Sequence, residues 1–158
     1  MLSGKCASYF LMEVDSVSKA ESLLVMRNEC RKYMTRHTDL ITAEQQSAWF
    51  LSLDRTRFVP FLFVESWHGA CFLPIGYGVV RRENGYSVLS GGLTEDYRGN
   101  GLGKVLFKCL IAKSDELFDL PIALEVLLSN VRAQFLYASL GFVITYMNES
   151  IIKMSLKQ

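Results

Sequence analysis

The stretch Leu93-Thr94-Glu95-Asp96-Tyr97-Arg98-Gly99-Asn100-Gly101-Leu102-Gly103-Lys104 sets the reading of this chain. A strand-like run, Tyr86 to Leu93, leads into it, and Leu102, Val105, Leu106, Cys109, Leu110 and Leu117 follow it at helical spacing. It is a strand-to-helix junction. Gly99, Gly101 and Gly103 remove three Cβ atoms where a helix start leaves backbone N–H groups unpaired. With the positive end of the helix dipole behind them, such donors suit a phosphate. Glu95 and Asp96 read as carboxylates placed by that same dipole. Two familiar phosphate loops do not fit: G-x-G-x-x-G needs glycine where Lys104 stands, and a P-loop needs glycine at Arg98 and Ser or Thr at Val105.

Outward from this junction the periods are regular. Upstream, Phe58 to Glu65 and Ile75 to Arg82 read as strands, and the turn residues Glu83, Asn84 and Gly85 join the second to Tyr86–Leu93 in an antiparallel meander. Before them come a strand at Tyr9 to Val14, a helix capped by Ser16 or Ser18 with Leu23, Met26, Cys30 and Met34 on one face, and a second helix opened by the capping box Thr42/Gln45. Downstream, Pro121 introduces the nearly all-apolar run Ile122 to Leu128, the pattern of an interior strand covered on both faces. Asn130 caps a short helix that Gly141 ends, and Phe142 to Met147 and Ile151 to Leu156 close the chain as strands. The expected fold is a mixed α/β (α+β) one: about seven mostly antiparallel strands with helices on both faces, in the order β-α-α-β-β-β-α-β-α-β-β.

At 158 residues, with half of them hydrophobic and 21% charged, the chain reads as one folded domain, residues 1–158. Lys plus Arg number 17 against 16 Asp plus Glu, so no global field favours nucleic acid or acidic lipid. Mean hydropathy is +0.18, yet no apolar run approaches a membrane span, and Lys5 with Phe10 to Met12 is too short for a leader. A cytoplasmic protein is expected. Cys6, Cys30, Cys71 and Cys109 stand 24 or more residues apart without Cys-x-x-Cys spacing or a nearby His37 or His68, which predicts reduced, buried thiols and no metal.

The pattern Arg-x-x-Gly-x-Gly at Arg98, Gly101 and Gly103 resembles the GCN5-related N-acetyltransferase (GNAT) family. About twenty residues on, Leu124-Glu125-Val126, Asn130, Ala133, Leu136-Tyr137 and Leu140-Gly141-Phe142 resemble that family's second acetyl-CoA motif. The likeness extends in layout to the first 60 residues, which carry neither motif. It implies that the loop Arg98, Gly99, Asn100, Gly101, Leu102, Gly103 and Lys104 holds the pyrophosphate of acetyl-CoA through backbone amides. It also implies that the strand ending near Leu93 and Thr94 splays from the strand Ile122 to Leu128, so that pantetheine fills the slot. A backbone N–H at about Leu93 would face the thioester oxygen.

Tyr137 then occupies the position of a general acid for the departing thiolate, and Asn130 that of a helix cap that also meets the CoA arm. Glu125, the lone charge in its strand, is a candidate base: burial would raise its pKa, and its setting resembles the ribosomal-protein N-terminal branch of the family. Arg27, Asn28, Tyr33 and Trp49 are possible pocket residues on the early helices, where a face or core role competes. The expected activity is direct acetyl transfer from acetyl-CoA, with no metal, to a primary amine: a protein N-terminus, an amino sugar or a polyamine. The competing class is a non-catalytic acyl-CoA binding module.

Overall fold

The computed structural model describes residues 7–157, so Lys5 and Cys6 lie outside the described residues. Strands β1 (Ala7–Glu13), β2 (Phe58–Trp67), β3 (Cys71–Glu83), β4 (Tyr86–Leu93), β5 (Ile122–Leu127), β6 (Phe142–Met147) and β7 (Ile151–Leu156) alternate with helices α1 (Val17–Cys30), α2 (Ala43–Ser52), α3 (Leu102–Leu117) and α4 (Val131–Ser139) in the expected order. Local chemistry sets the helix starts. Ser16 accepts from the Lys19 N–H, and Thr42 and Gln45 complete a reciprocal capping box.

All seven strands join one sheet in the order β1-β2-β3-β4-β5-β7-β6, and only the β4–β5 pair is parallel. On one face α3 and α4 pack Leu106, Leu110 and Tyr137 against Phe61, Phe63, Leu89 and Leu124. On the other, Leu23 and Met26 of α1 cover Leu62, Val64, Tyr77 and Val79. Each of these side chains, fully buried, contributes about 1.5–3 kcal/mol, so both helical layers hold the sheet between them.

Two expectations are corrected. In β5 the residues alternate: Ile122, Leu124 and Val126 are buried, whereas Ala123, Glu125 and Leu127 are half-buried. One face meets α3 and α4; the other borders an opening in the sheet, which the apolar pattern conceals. Among the thiols, Cys30 is buried, Cys109 half-buried and Cys71 exposed where β3 begins, and all three are free. Among the described residues no helix is long and apolar enough to cross a membrane.

Candidate active site

Parallel pairing of β4 with β5 lasts only from Ser87–Leu89 against Ile122–Leu124. Beyond it β4 stays with β3 as far as Leu93↔Gly76, while β5 stays with β7 through Glu125↔Lys153 and Leu127↔Ile151. The two strands part at Ser90 and Glu125. Thr94 donates its N–H to Ile75 O at 2.9 Å, so by the alternation of an antiparallel ladder the N–H groups of Leu93 and Gly91 point away from β3, into the gap. A cavity of about 820 Å³ occupies it, and its walls come from both faces: Leu106 and Tyr137 on one, Arg27 and Tyr77 on the other.

At one end of the cavity lies the glycine loop. Gly99 and Gly101 sit at φ +86° and +78°, left-handed conformations that a side chain strains, and Gly101 forms the N-cap of α3 with no side-chain hydrogen bond to its first turn. A Cβ on Gly101 would meet nothing within 4 Å, so the space before those amides is open. Gly103 and Lys104 also line the cavity, Arg132 of α4 approaches from the far side at Gly99, and Asn130 accepts from the Ala133 N–H at 3.3 Å to cap α4 on the same wall. Uncapped amides flanked by two cations form a site complementary to a diphosphate.

Four residues of the expected loop set are placed differently. Thr94 gives both its N–H and its hydroxyl to Ile75 O and does not line the cavity; nor do Asn100 and Leu102. Arg98 lines it but is spent as a strut. Its N–H goes to Glu95 O, its Nε to Leu93 O at 2.9 Å, another guanidinium nitrogen to Cys30 Sγ at 3.6 Å, and its plane lies 4.8 Å over Tyr33. It ties the loop to the end of β4 and to α1.

Tyr137 reaches the cavity from α4, wedged edge-on between Phe107 (4.8 Å) and Phe142 (6.1 Å), and burial raises its pKa, keeping the phenol protonated. Glu125 is not an isolated carboxylate. Burial pushes its pKa up, but Arg36 at 2.7 Å, Thr35 at 3.2 Å and Lys153 at 3.9 Å together bring it below the ordinary carboxylate value. The raised pKa expected for it is therefore corrected: its partners, 89 and 90 residues earlier on the chain, outweigh desolvation. Cys30, absent from both motifs, also lines the cavity, donating to Leu93 O at 3.3 Å. Burial holds its thiol protonated, above the usual range.

The sequence model of the Acetyltransferase (GNAT) family matches residues 23–142. The chain belongs to this family. Its GNAT fold is shared, at 16% identity and a TM-score of 0.71, with spermidine N-acetyltransferase from Vibrio cholerae in complex with CoA and spermine (95% of this chain, 94% of that one). It is shared equally with yncA, a putative acetyltransferase from Salmonella typhimurium with its cofactor acetyl-CoA (14% identity, 96% and 93% covered, TM-score 0.72). Ribosomal-protein-alanine N-acetyltransferase from Brucella melitensis is also alike (19% identity, 92% and 98% covered, TM-score 0.71). No curated protein matches closely enough in sequence to lend this chain a substrate.

In this GNAT chain the wall opposite the glycine loop escapes motif reading. Arg27 and Tyr33 line the cavity, as weighed from the sequence; Asn28 and Trp49 do not. Asn28 clamps both backbone groups of Ile41, and Trp49 packs edge-on against Phe58. Other members of that wall were missed, among them Tyr77, Arg81 and Glu83 from odd positions of β3 and Arg36 from the α1–α2 connection. The available signal was the charged end of β3, Arg81-Arg82-Glu83, whose odd residues share a face with Tyr77.

Proposed function

We propose that the chain is an acetyl-CoA-dependent N-acetyltransferase that moves the acetyl group directly to a primary amine inside the β4–β5 opening. The observation that carries this reading is the meeting, in one cavity, of an uncapped glycine loop and a strand whose outward amides lack a neighbouring strand. The co-substrate supplies an activated acyl thioester. Amides at Gly99, Gly101, Gly103 and Lys104, with the Lys104 and Arg132 side chains, hold its diphosphate, and Arg98 braces the loop that carries them.

Leu93 N–H then faces the carbonyl oxygen that gains charge as the amine nitrogen bonds to carbon and the carbon–sulfur bond breaks. Tyr137 returns a proton to the leaving sulfur; kept protonated by burial, it has that proton at any physiological pH. Glu125, expected as the base, suits another task. Its carboxylate is held ionised by Arg36 and Thr35 and orders the α1–α2 connection over the acceptor end. The ammonium sheds one proton to water before attack; the second, lost from nitrogen as the amide forms, leaves through water and restores the proton that Tyr137 gives to sulfur. Cys30, held as a thiol, does not compete as a nucleophile.

Release of free thiol from acetyl-CoA, followed across peptide, amino-sugar, polyamine and amino-acid amines, tests the proposal, with calorimetry of CoA binding beside it. Binding together with amine-dependent thiol release is expected. Binding without release to any amine would favour the non-catalytic module, and absence of both would overturn the reading.

A further inference from the structure

The acceptor end of the cavity has a charge balance of its own. Arg27, Lys32, Arg36 and Arg81 line it against two carboxylates, Glu83 and Glu125. Both carboxylates are already engaged: Glu83 by Arg81 at 2.7 Å and Arg36 at 3.1 Å, Glu125 by Arg36 at 2.7 Å. Lys32 lies over the Tyr33 ring at 5.1 Å. Arg27 differs from the rest. It lines the cavity with its guanidinium 5.6 Å from the Trp49 ring, and among the described residues it forms no ion pair or hydrogen bond.

A half-buried guanidinium without a counter-ion is costly unless something anionic completes it. Tyr77 stands beside it on β3, buried within electrostatic reach of Arg27, Cys30 and Tyr137 and lining the same cavity. A planar guanidinium and a phenol opening into one cavity make a receptor for a carboxylate. Its distance from the reacting end is set by α1. Cys30, three residues after Arg27 on the same helix, touches Leu93 O, and three residues rise about 4.5 Å along an α-helix. The carboxylate site and the reacting end therefore share one stretch of the cavity wall, which suits a small acceptor.

Resting on the acetyltransferase reading above, we infer that the acceptor is a small amine carrying a carboxylate, an amino-acid-like molecule whose carboxylate is held by Arg27 and Tyr77. A polyamine would instead present like charge to a cation-rich wall with no unengaged carboxylate. Arg27 is thus the residue that determines specificity, and the thioester chemistry proceeds beside it, where Leu93 and Tyr137 meet the cavity.

Thiol release is measured for amino acids beside their decarboxylated amines, with spermidine as a third arm. The wild-type protein should prefer each carboxylate-bearing member, and Arg27→Gln should erase that preference by raising KM for it roughly ten- to a hundred-fold. Arg27→Lys should restore part of it. Thermal shift reads the same contact without turnover: the preferred amino acid should raise Tm of the CoA-loaded wild type and not that of Arg27→Gln. Tyr77→Phe, which keeps the ring packing, covers the case in which Arg27→Gln does not fold. Equal or better use of the decarboxylated amines or spermidine, or a Tm shift that survives Arg27→Gln, overturns the inference while leaving the acetyltransferase reading intact. Absence of CoA binding would instead sink that reading, and failure of every amino acid to shift Tm of the CoA-loaded protein would sink this inference alone.

Discussion

At one end of the cavity the groups offered to a ligand are main-chain amides of Gly99, Gly101 and Gly103; at the other they are the side chains of Arg27, Tyr77, Arg81 and Glu83. The first end is written within seven consecutive residues, two of them glycines at positive φ that a side chain would strain. The second is assembled from α1, β3 and the α1–α2 connection, positions up to 56 residues apart, and is set by which side chains happen to share a face. Recognition by backbone needs glycine and a helix start and no particular side chain, whereas recognition by side chains changes with each substitution on the face.

The largest effect that would sharpen this contrast is at the junction of the two ends. Tyr137→Phe keeps the ring between Phe107 and Phe142, so the fold and CoA affinity should hold while kcat falls by roughly 10² to 10⁴. A change under about tenfold would remove Tyr137 from proton transfer. Next comes the glycine end: Gly101→Val forces a β-branched residue to φ +78° and shifts the amides beside it, weakening acetyl-CoA by roughly a hundred-fold in calorimetry. Undiminished binding would refute the cradle.

Arg98→Lys breaks the strut between the two ends. Loss of the Nε bond to Leu93 O and of the stacking on Tyr33 should cost about 1–2 kcal/mol in denaturant unfolding. Direct phosphate binding by Arg98 would show instead as weaker CoA affinity at unchanged stability.

Glu125→Gln should give the smallest change in rate, under about tenfold, with the pH–rate profile keeping its shape. If the acidic limb of that profile vanished, Glu125 would be the base after all. Stability offers a second reading. The folded pKa of Glu125 lies below its unfolded value, so its stabilisation is complete above about pH 4.3 and fades as pH falls through the folded pKa. The Tm gap between wild type and Glu125→Gln should therefore narrow on acidification.

The same contrast governs what could be read from residues alone. The bounds of α3, β4, β6 and β7 follow from local period and punctuation, and the glycine loop from spacing within a dozen residues. Glu125 looked solitary because Arg36 and Thr35 are remote in sequence and near only after folding. Arg98 reads as part of the amide cradle because its motif position is visible, whereas the bond from its own N–H to Glu95 O is not. The half-burial of β5 was hidden for a similar reason: an apolar run does not reveal that its neighbouring strand departs after three residues.

That departure has a consequence for the protein in solution. Gly91 and Leu93 carry donors in mid-sheet that have no strand opposite them, so amide-proton exchange there should be fast in the free protein and slow once the pantetheine arm lies alongside. By linkage, the co-substrate at a hundred times its Kd would add about 2.7 kcal/mol to the folded state. The lifetime of this enzyme in a cell would then track the local supply of acyl thioester, its missing rung being filled from the metabolite pool.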